Sequence, residues 1–316
     1  MPPNASVEIN GGRTARLQYA ILRSATLASR PLGHRGLHRL VRMVGRYFPE
    51  DNTVSFPHGC GRISVRLFDG YWMPYHLTAS AYEPEVGIML DCMLDEDVLF
   101  VDCGANIGYW TLYASSRTAS VIPVEPTLET YEQLKNNIAI NGLDLEPLLA
   151  AVSERSEETA CLSVVREHHE SSRVVSEFDA VERMGPPAQG ETVVTVTVDD
   201  IVSQRGASAS RTLIKLDVEG SEVRALAGAM GTLMGGAVVV YEEHGSDSAC
   251  SATRFLSQQA DGGDFLLFFV LETGELLSIK DPSELLRMKS NPFRGYTLIA
   301  GRRSSALLNR VLSRVD

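Results

Sequence analysis

A chain of 316 residues that is 44% hydrophobic and 22% charged is too long for a mini-protein and too apolar for a disordered one, and it can bury a sizeable core. Its formal net charge of −11 is unevenly spread: residues 1–50 hold eight arginines against Glu8 and Glu50, about +6, leaving about −17 on the remainder. A body that acidic argues against broad nucleic-acid binding, which needs cationic surface to displace phosphate counterions.

In chain order, residues 1–60 mix basic helical stretches, 17–27 and 37–47, with Pro and Gly breaks, and read as a helical lead-in. Residues 63–67 alternate apolar and polar, which predicts a half-buried strand. Glu83-Pro84 opens a helix running to 94, because proline is tolerated in a first turn. From Val98 the pattern changes. Apolar runs at 98–101, 121–124, 148–152, 193–198, 213–216, 237–241, 265–271 and 296–299 are interspersed with helical stretches at 106–116, 128–141 and 219–233. Such runs indicate strands buried on both faces of a sheet. The expected fold class is therefore α/β, a doubly wound, mostly parallel sheet in 82–316, preceded by a helical and strand-containing extension over 1–81. The polar, turn-rich stretch 166–192 interrupts the rhythm and is expected to be a mobile insert.

The five cysteines are odd in number and form no C-x-x-C pair, so neither a disulfide framework nor a zinc site is indicated. The longest apolar run, 265–271, is far short of the ~20 residues that cross a bilayer. The Arg-rich start also lacks the apolar core of a secretory signal. A transit peptide is conceivable over 13–46, but four lysines in the whole chain make arginine preference a general bias. The expectation is a cytoplasmic protein with no membrane or nucleic-acid partner; a homo-oligomer is left open.

The sharpest signal is Phe100-Val-Asp-Cys-Gly-Ala-Asn-Ile-Gly108, where a buried strand ends, glycines allow a tight turn and a helix starts, so that backbone N–H groups are expected to face a ligand. Glu125 closes the next apolar run, 21 residues after Gly104, where a carboxylate can take both ribose hydroxyls of a nucleotide. Asn106 occupies the place of the middle glycine of a dinucleotide fingerprint, so a pyrophosphate is not provided for. A cofactor without phosphate, its amino-acid end held by Asp102 and the turn, fits better: S-adenosylmethionine.

Val101-Asp-Cys-Gly-Ala-Asn-Ile-Gly-Tyr109, Glu125-Pro126, the helix end Asn136-Asn137…Asn141-Gly142 and Ile214-Lys-Leu-Asp-Val-Glu-Gly-Ser-Glu222, preceded by Tyr82-Glu-Pro-Glu85, together resemble the FkbM-type methyltransferases over roughly half the chain. The resemblance implies a class I, Rossmann-like S-adenosylmethionine-dependent methyltransferase acting on a hydroxyl oxygen of a small-molecule acceptor: a sugar, polyketide or other natural-product scaffold. It assigns Asp102, Gly104, Asn106 and Gly108 to the cofactor's amino-acid end and Glu125 to its ribose. Cys103 and Ser221 stand where other small residues are common.

A second constellation is Lys215, Asp217, Glu219 and Glu222. Asp217 is expected at a strand's carboxyl end beside the reacting methyl, and Glu219 at the start of the next helix, where the dipole favours its charge. Asp217 or Glu219 then deprotonates or orients the acceptor hydroxyl. In a less favoured reading the pair, with Glu242 or Glu243, holds Mg²⁺ through hard oxygen ligands, and no metal ligand is assigned. His244 ends the following run and is weighed evenly between proton acceptor and plain loop residue. The aromatic stretch Tyr71-Trp-Met-Pro-Tyr-His76 is either an acceptor wall or packing, and His168 and His169 are weaker candidates to cover a substrate. The first fifty residues either bind an anionic carrier or leave their arginines in water. The alternatives are a methyltransferase acting on nitrogen or a macromolecule, a NAD-dependent oxidoreductase, and a catalytically silent S-adenosylmethionine-binding protein.

Overall fold

The chain divides into two units. The computed structural model describes residues 7–163, 173–175, 191–259 and 264–315. One unit comprises Met1–Tyr82 with Asn136–Gly142, the other Glu83–Lys135 with Leu143–Asp316.

The first unit carries β1 (Glu8–Asn10), α1 (Gly12–Ser29), α2 (Leu37–Gly45), β2 (Thr53–His58), β3 (Gly61–Arg66) and α3 (Trp72–Thr78), with the strands in an antiparallel sheet of order β1-β2-β3. Helix α1 buries Ala15, Gln18, Leu22 and Thr26, a stripe spaced for one helical face. The buried Gln18 accepts from Asn52 Nδ2 at 2.8 Å. In β3 the alternation predicted for 63–67 holds for Ile63 and Val65, but Ser64 is buried too. Its backbone N–H and C=O are both taken by the amide of Asn137, at 2.8 and 3.2 Å. One helical turn on, the amide of Asn141 does the same for Arg62, at 2.7 and 2.6 Å. Two side-chain amides thus continue the ladder of β3.

The second unit is built on an eight-stranded sheet. Across it the order is β14 (Leu276–Ser278), β13 (Phe265–Val270), β15 (Gly295–Arg302), β12 (Val238–His244), β11 (Thr212–Leu216), β4 (Leu99–Cys103), β5 (Val121–Glu125) and β6 (Leu148–Leu149). The strands from β12 to β6 are parallel, and β15 runs antiparallel between β12 and β13. Strands β4, β5 and β11 are buried at every position, as their apolar runs lead one to expect, with Lys215 of β11 buried as a charged exception. The associated helices are α4 (Pro84–Met93), α5 (Tyr109–Ala114), α6 (Leu128–Ile140), α7 (Val198–Gln204), α8 (Glu222–Ala227), α9 (Met230–Met234), α10 (Ser251–Gln259), α11 (Leu285–Met288) and α12 (Ala306–Val315). The fold is the α/β, doubly wound, class I Rossmann-like type. After β4 the chain turns to β5 on one side, whereas β11 lies on the other. A crevice therefore opens between the carboxyl ends of β4 and β11, where ligands bind in such sheets.

Two expected strands are placed differently. The run 148–152 splits at a bend on Ala150: β6 joins the main sheet, while β7 (Ala151–Val152) pairs with β10 (Glu191–Val196). The run 193–198 belongs not to the main sheet but to a four-stranded one, β7-β10-β8-β9, with β8 (Thr159–Ser163) and β9 (Arg173–Val175). Val193 is buried there and Val194 exposed, so an apolar residue on the open face disguised a one-sided strand as a two-sided one. Of the stretch 166–192, only 173–175 and 191–192 fall within the described residues, and His168 and His169 lie outside them. Among the described residues no helix is long and apolar enough to cross a membrane.

Candidate active site

The turn from β4 into α5 is shaped by three residues with positive φ: Gly104 (76°), Asn106 (52°) and Gly108 (94°). Gly104 is required twice over, because a Cβ there would also overlap the carbonyl oxygen of Asp217 at the end of β11. The turn's own N–H groups are engaged within the protein. Those of Gly104 and Ala105 reach Val124 O at 2.9 and 3.0 Å, and that of Asn106 reaches Glu125 Oε2 at 2.9 Å. Ile107 N–H bonds Asn106 Oδ1 at 2.7 Å, and Gly108 N–H bonds Ala105 O at 2.9 Å. This corrects the expectation that the N–H groups of Gly104 to Gly108 face a ligand: they close the turn instead.

The residues around the turn are acidic. Asp102, fully buried at the end of β4, accepts from Thr111 Oγ1 at 2.6 Å through Oδ2, while its Oδ1 has no hydrogen-bond partner. Burial pushes its carboxyl above the usual range, against the pull of the Lys215 ammonium. Glu125, 6% exposed at the end of β5, takes the Asn106 N–H on one oxygen and the Thr127 N–H on the other at 2.9 Å. Burial raises it to about 7, the two N–H donors pulling the other way.

Beyond Asp102, across the crevice, lies a second acidic group. Lys215, paired with Asp102 in the β11–β4 register, places its ammonium 3.6 Å from Asp102 Oδ1 and 3.6 Å from Asp217 Oδ2, and donates to Gly104 O at 3.2 Å. Burial lowers its proton affinity, but the charges of Asp217, Asp102, Glu83 and Glu242 raise it further, and the amine stays charged. Glu83, Asp217 and Glu242 each offer a carboxylate oxygen within 4.8 Å of the others. Burial, then the charge and hydrogen bond of Asp217, hold Glu242 well above the usual carboxylate range. Its carboxylate lies over Gly295 of β15, where any Cβ would overlap Oε1.

A family model, the methyltransferase FkbM domain, matches residues 102–261. The chain belongs to the FkbM methyltransferase family. It is 25% identical to the hexuronic acid methyltransferase AglP of Haloferax volcanii over 197 residues, which is 62% of this chain and 76% of that protein. Among solved structures it is similar to the methyltransferase FkbM of Methylobacillus flagellatus KT, at 18% identity and a TM-score of 0.39 over 74% of this chain. It spans only 53% of that protein's length. It is also similar to M. jannaschii TYW2 in complex with AdoMet, at 12% identity and a TM-score of 0.39 over 79% of this chain and 85% of that one.

Within this FkbM methyltransferase the sequence-expected residues separate into two sets. Asp102, Gly104, Asn106, Gly108 and Glu125 converge on the first turn, and Asp217 joins Lys215 across the crevice. Glu219 is not in a helix: it sits at φ 50° ahead of α8, because Val218 to Ser221 form a turn instead. His244 ends β12 exposed, and among the described residues its ring bonds only Ser246. Ser246 N–H donates to Nδ1 at 3.2 Å, which puts the proton of the neutral ring on Nε2. Sequence reasoning misses Glu83, although it opens the Glu-Pro helix start; Trp110 Nε1 donates to its Oε2 at 3.0 Å. The three-carboxylate spacing could accommodate a hard cation through Glu83, Asp217 and Glu242. Lys215 already supplies positive charge there.

Proposed function

We propose that this FkbM methyltransferase transfers a methyl group from S-adenosylmethionine to a hydroxyl oxygen of a small hydroxylated molecule, a sugar or natural-product scaffold. The observation that carries the reading is Asp102 Oδ1, a buried carboxylate oxygen with no hydrogen-bond partner and only the shared Lys215 ammonium 3.6 Å away, beside a turn whose own N–H groups are already engaged. Such a site disfavours phosphate and favours a cationic end, as on an amino acid carrying an ammonium beside a sulfonium. Asp102 would hold that ammonium. Glu125 would accept from the ribose hydroxyls through the lone pairs left on its two oxygens. When bound, the cofactor supplies an electrophilic methyl carbon.

The protein's remaining task is alignment with modest help from a base. Asp217, with Glu242 beside it, would orient the acceptor O–H and take up its proton when the methyl group is transferred. Lys215 keeps Asp217 in place. Glu219 and His244 are assigned to the acceptor at the rim, His244 as a donor through Nε2. Three carboxylates around one ammonium suit a neutral sugar, or one with an amine, over an acceptor pointing a carboxylate inward. AglP, a hexuronic acid methyltransferase by name, supports a sugar-type acceptor. Calorimetry with S-adenosylhomocysteine against NAD tests the donor. Methyl transfer into a pool of neutral sugars, uronic acids and amino sugars tests the acceptor. Heat with NAD alone would sink the donor assignment, and methylation confined to the amines would sink the oxygen.

A further inference from the structure

The arginine-rich first unit contains a small cavity of ≈ 80 Å³ lined by Arg23, Thr26, Arg30, His34, Leu77 and Thr78, with Leu27 beside them. Arg23 and Arg30 are seven residues apart along α1 and its continuation, where the chain at Arg30 keeps helical dihedrals, so both guanidinium groups project from one side. Neither has a carboxylate partner among the described residues. Arg23 hydrogen-bonds the Tyr19 hydroxyl, and both arginines line the cavity without a carboxylate. Two like charges line one small volume, and an oxyanion there would relieve their mutual repulsion. Hydroxyls and an imidazole complete the lining. Thr26 is buried and donates to Leu22 O, which leaves its oxygen's orientation fixed. Ser29 holds Nδ1 of His34 at 2.9 Å, so Nε2 is the ring nitrogen left to turn toward the cavity.

We infer that this cavity binds a single phosphate group, with Arg23 and Arg30 as its two forks and His34 and Thr78 as its polar lining. Guanidinium forks match phosphate oxygens in pairs, which an ammonium does not, and α1 contains arginine but no lysine. The volume admits a tetrahedral oxyanion and a little water but not a nucleoside. The site lies wholly within the first unit and does not depend on the donor and acceptor assigned above. The phosphate could arrive free in water or on a lipid headgroup; Leu17, Ile21 and Leu27, exposed along the same helix, suit the second source.

The test uses the full chain and inorganic phosphate, titrated by calorimetry at constant ionic strength against the wild type, the Arg23→Ala/Arg30→Ala double variant, and an Arg13→Ala/Arg16→Ala control on the same helix. Saturable binding is expected in the wild type and the control, weakened at least about tenfold in the double variant. Circular dichroism melts and S-adenosylhomocysteine titrations of each variant report whether it folds. Equal binding by all three proteins, or a response that never saturates, overturns the site. Flotation with phosphatidic acid vesicles against phosphatidylcholine vesicles then separates the sources: phosphate-competed flotation dependent on Arg23 and Arg30 assigns the lipid, and its absence beside saturable phosphate binding assigns the free group.

Discussion

If Glu125 holds the ribose as proposed, cofactor affinity depends on pH in a way that can be calculated beforehand. Its carboxyl is buried at the end of β5, raised to about 7 by that burial, and only its ionised form can accept from two ribose hydroxyls while keeping the Asn106 and Thr127 N–H groups. The ionised fraction falls from about a half at pH 7 to roughly a tenth at pH 6 and a hundredth at pH 5, so affinity for S-adenosylhomocysteine should fall about tenfold per pH unit below 7. Glu125→Gln should flatten the profile. At pH 8 it should also bind roughly ten- to a hundredfold more weakly, having lost a charge-assisted acceptor and placed an NH₂ against a backbone donor. The same residue has an opposite signature on stability. Folded Glu125 keeps its proton to a higher pH than in the unfolded chain, so its contribution is fully present below about 4.5 and is lost as the pH rises through about 7, a loss on the order of 3 kcal/mol. Subtracting melts of Glu125→Gln from those of the wild type isolates this from the other raised carboxyls. A wild-type affinity that is flat between pH 5 and 8 would refute the ribose assignment.

Three further outcomes follow from the crevice. Gly295→Ala should expel the Glu242 carboxylate and slow methyl transfer at least tenfold while leaving S-adenosylhomocysteine affinity unchanged; an equal loss in both would mean that the sheet itself had shifted. Lys215→Met removes an ammonium 3.6 Å from two carboxylates, each pair worth about 4–5 kcal/mol at an effective dielectric of 20. Net destabilisation of about 3–5 kcal/mol is expected at pH 8, shrinking as acid neutralises the raised carboxyl of Asp102. A variant as stable as wild type at pH 8 would show that Lys215 does not hold this cluster together. Chelation with EDTA should leave the methyl-transfer rate within a factor of about two, since Lys215 already supplies a cation at the Glu83–Asp217–Glu242 group. A rate abolished by EDTA and restored by Mg²⁺ would assign the three carboxylates to a metal instead.

The strands buried on both faces are legible in the amino-acid sequence, because β4, β5 and β12 carry unbroken apolar runs that end in carboxylates, and in β11 only Lys215 interrupts the run. Glu125 is equally legible, since its distance from Gly104 follows from one strand–helix–strand unit. Strand β10 is not, because Val194 presents an apolar side chain to solvent and erases the alternation that marks a one-sided strand. Glu83 cannot be found by spacing: it lies more than 130 residues before Asp217, and only the folding of α4 against the sheet brings the two together. Nor can the engagement of the turn's N–H groups, which depends on the Val124 carbonyl of the neighbouring strand. The paired asparagines belong to a recognisable motif, but their chemical purpose is visible only with Ser64 and Arg62 beside them.

Those asparagines have a consequence for how the molecule behaves in company. Strand β3 forms the border of its small sheet, and borders of this kind invite another polypeptide to zip on. Asn137 and Asn141 occupy the outward donors and acceptors at Ser64 and Arg62 as a neighbouring strand would, within the same chain. Two amides on a helix end therefore act as a selvedge, finishing the cloth so that it cannot be extended.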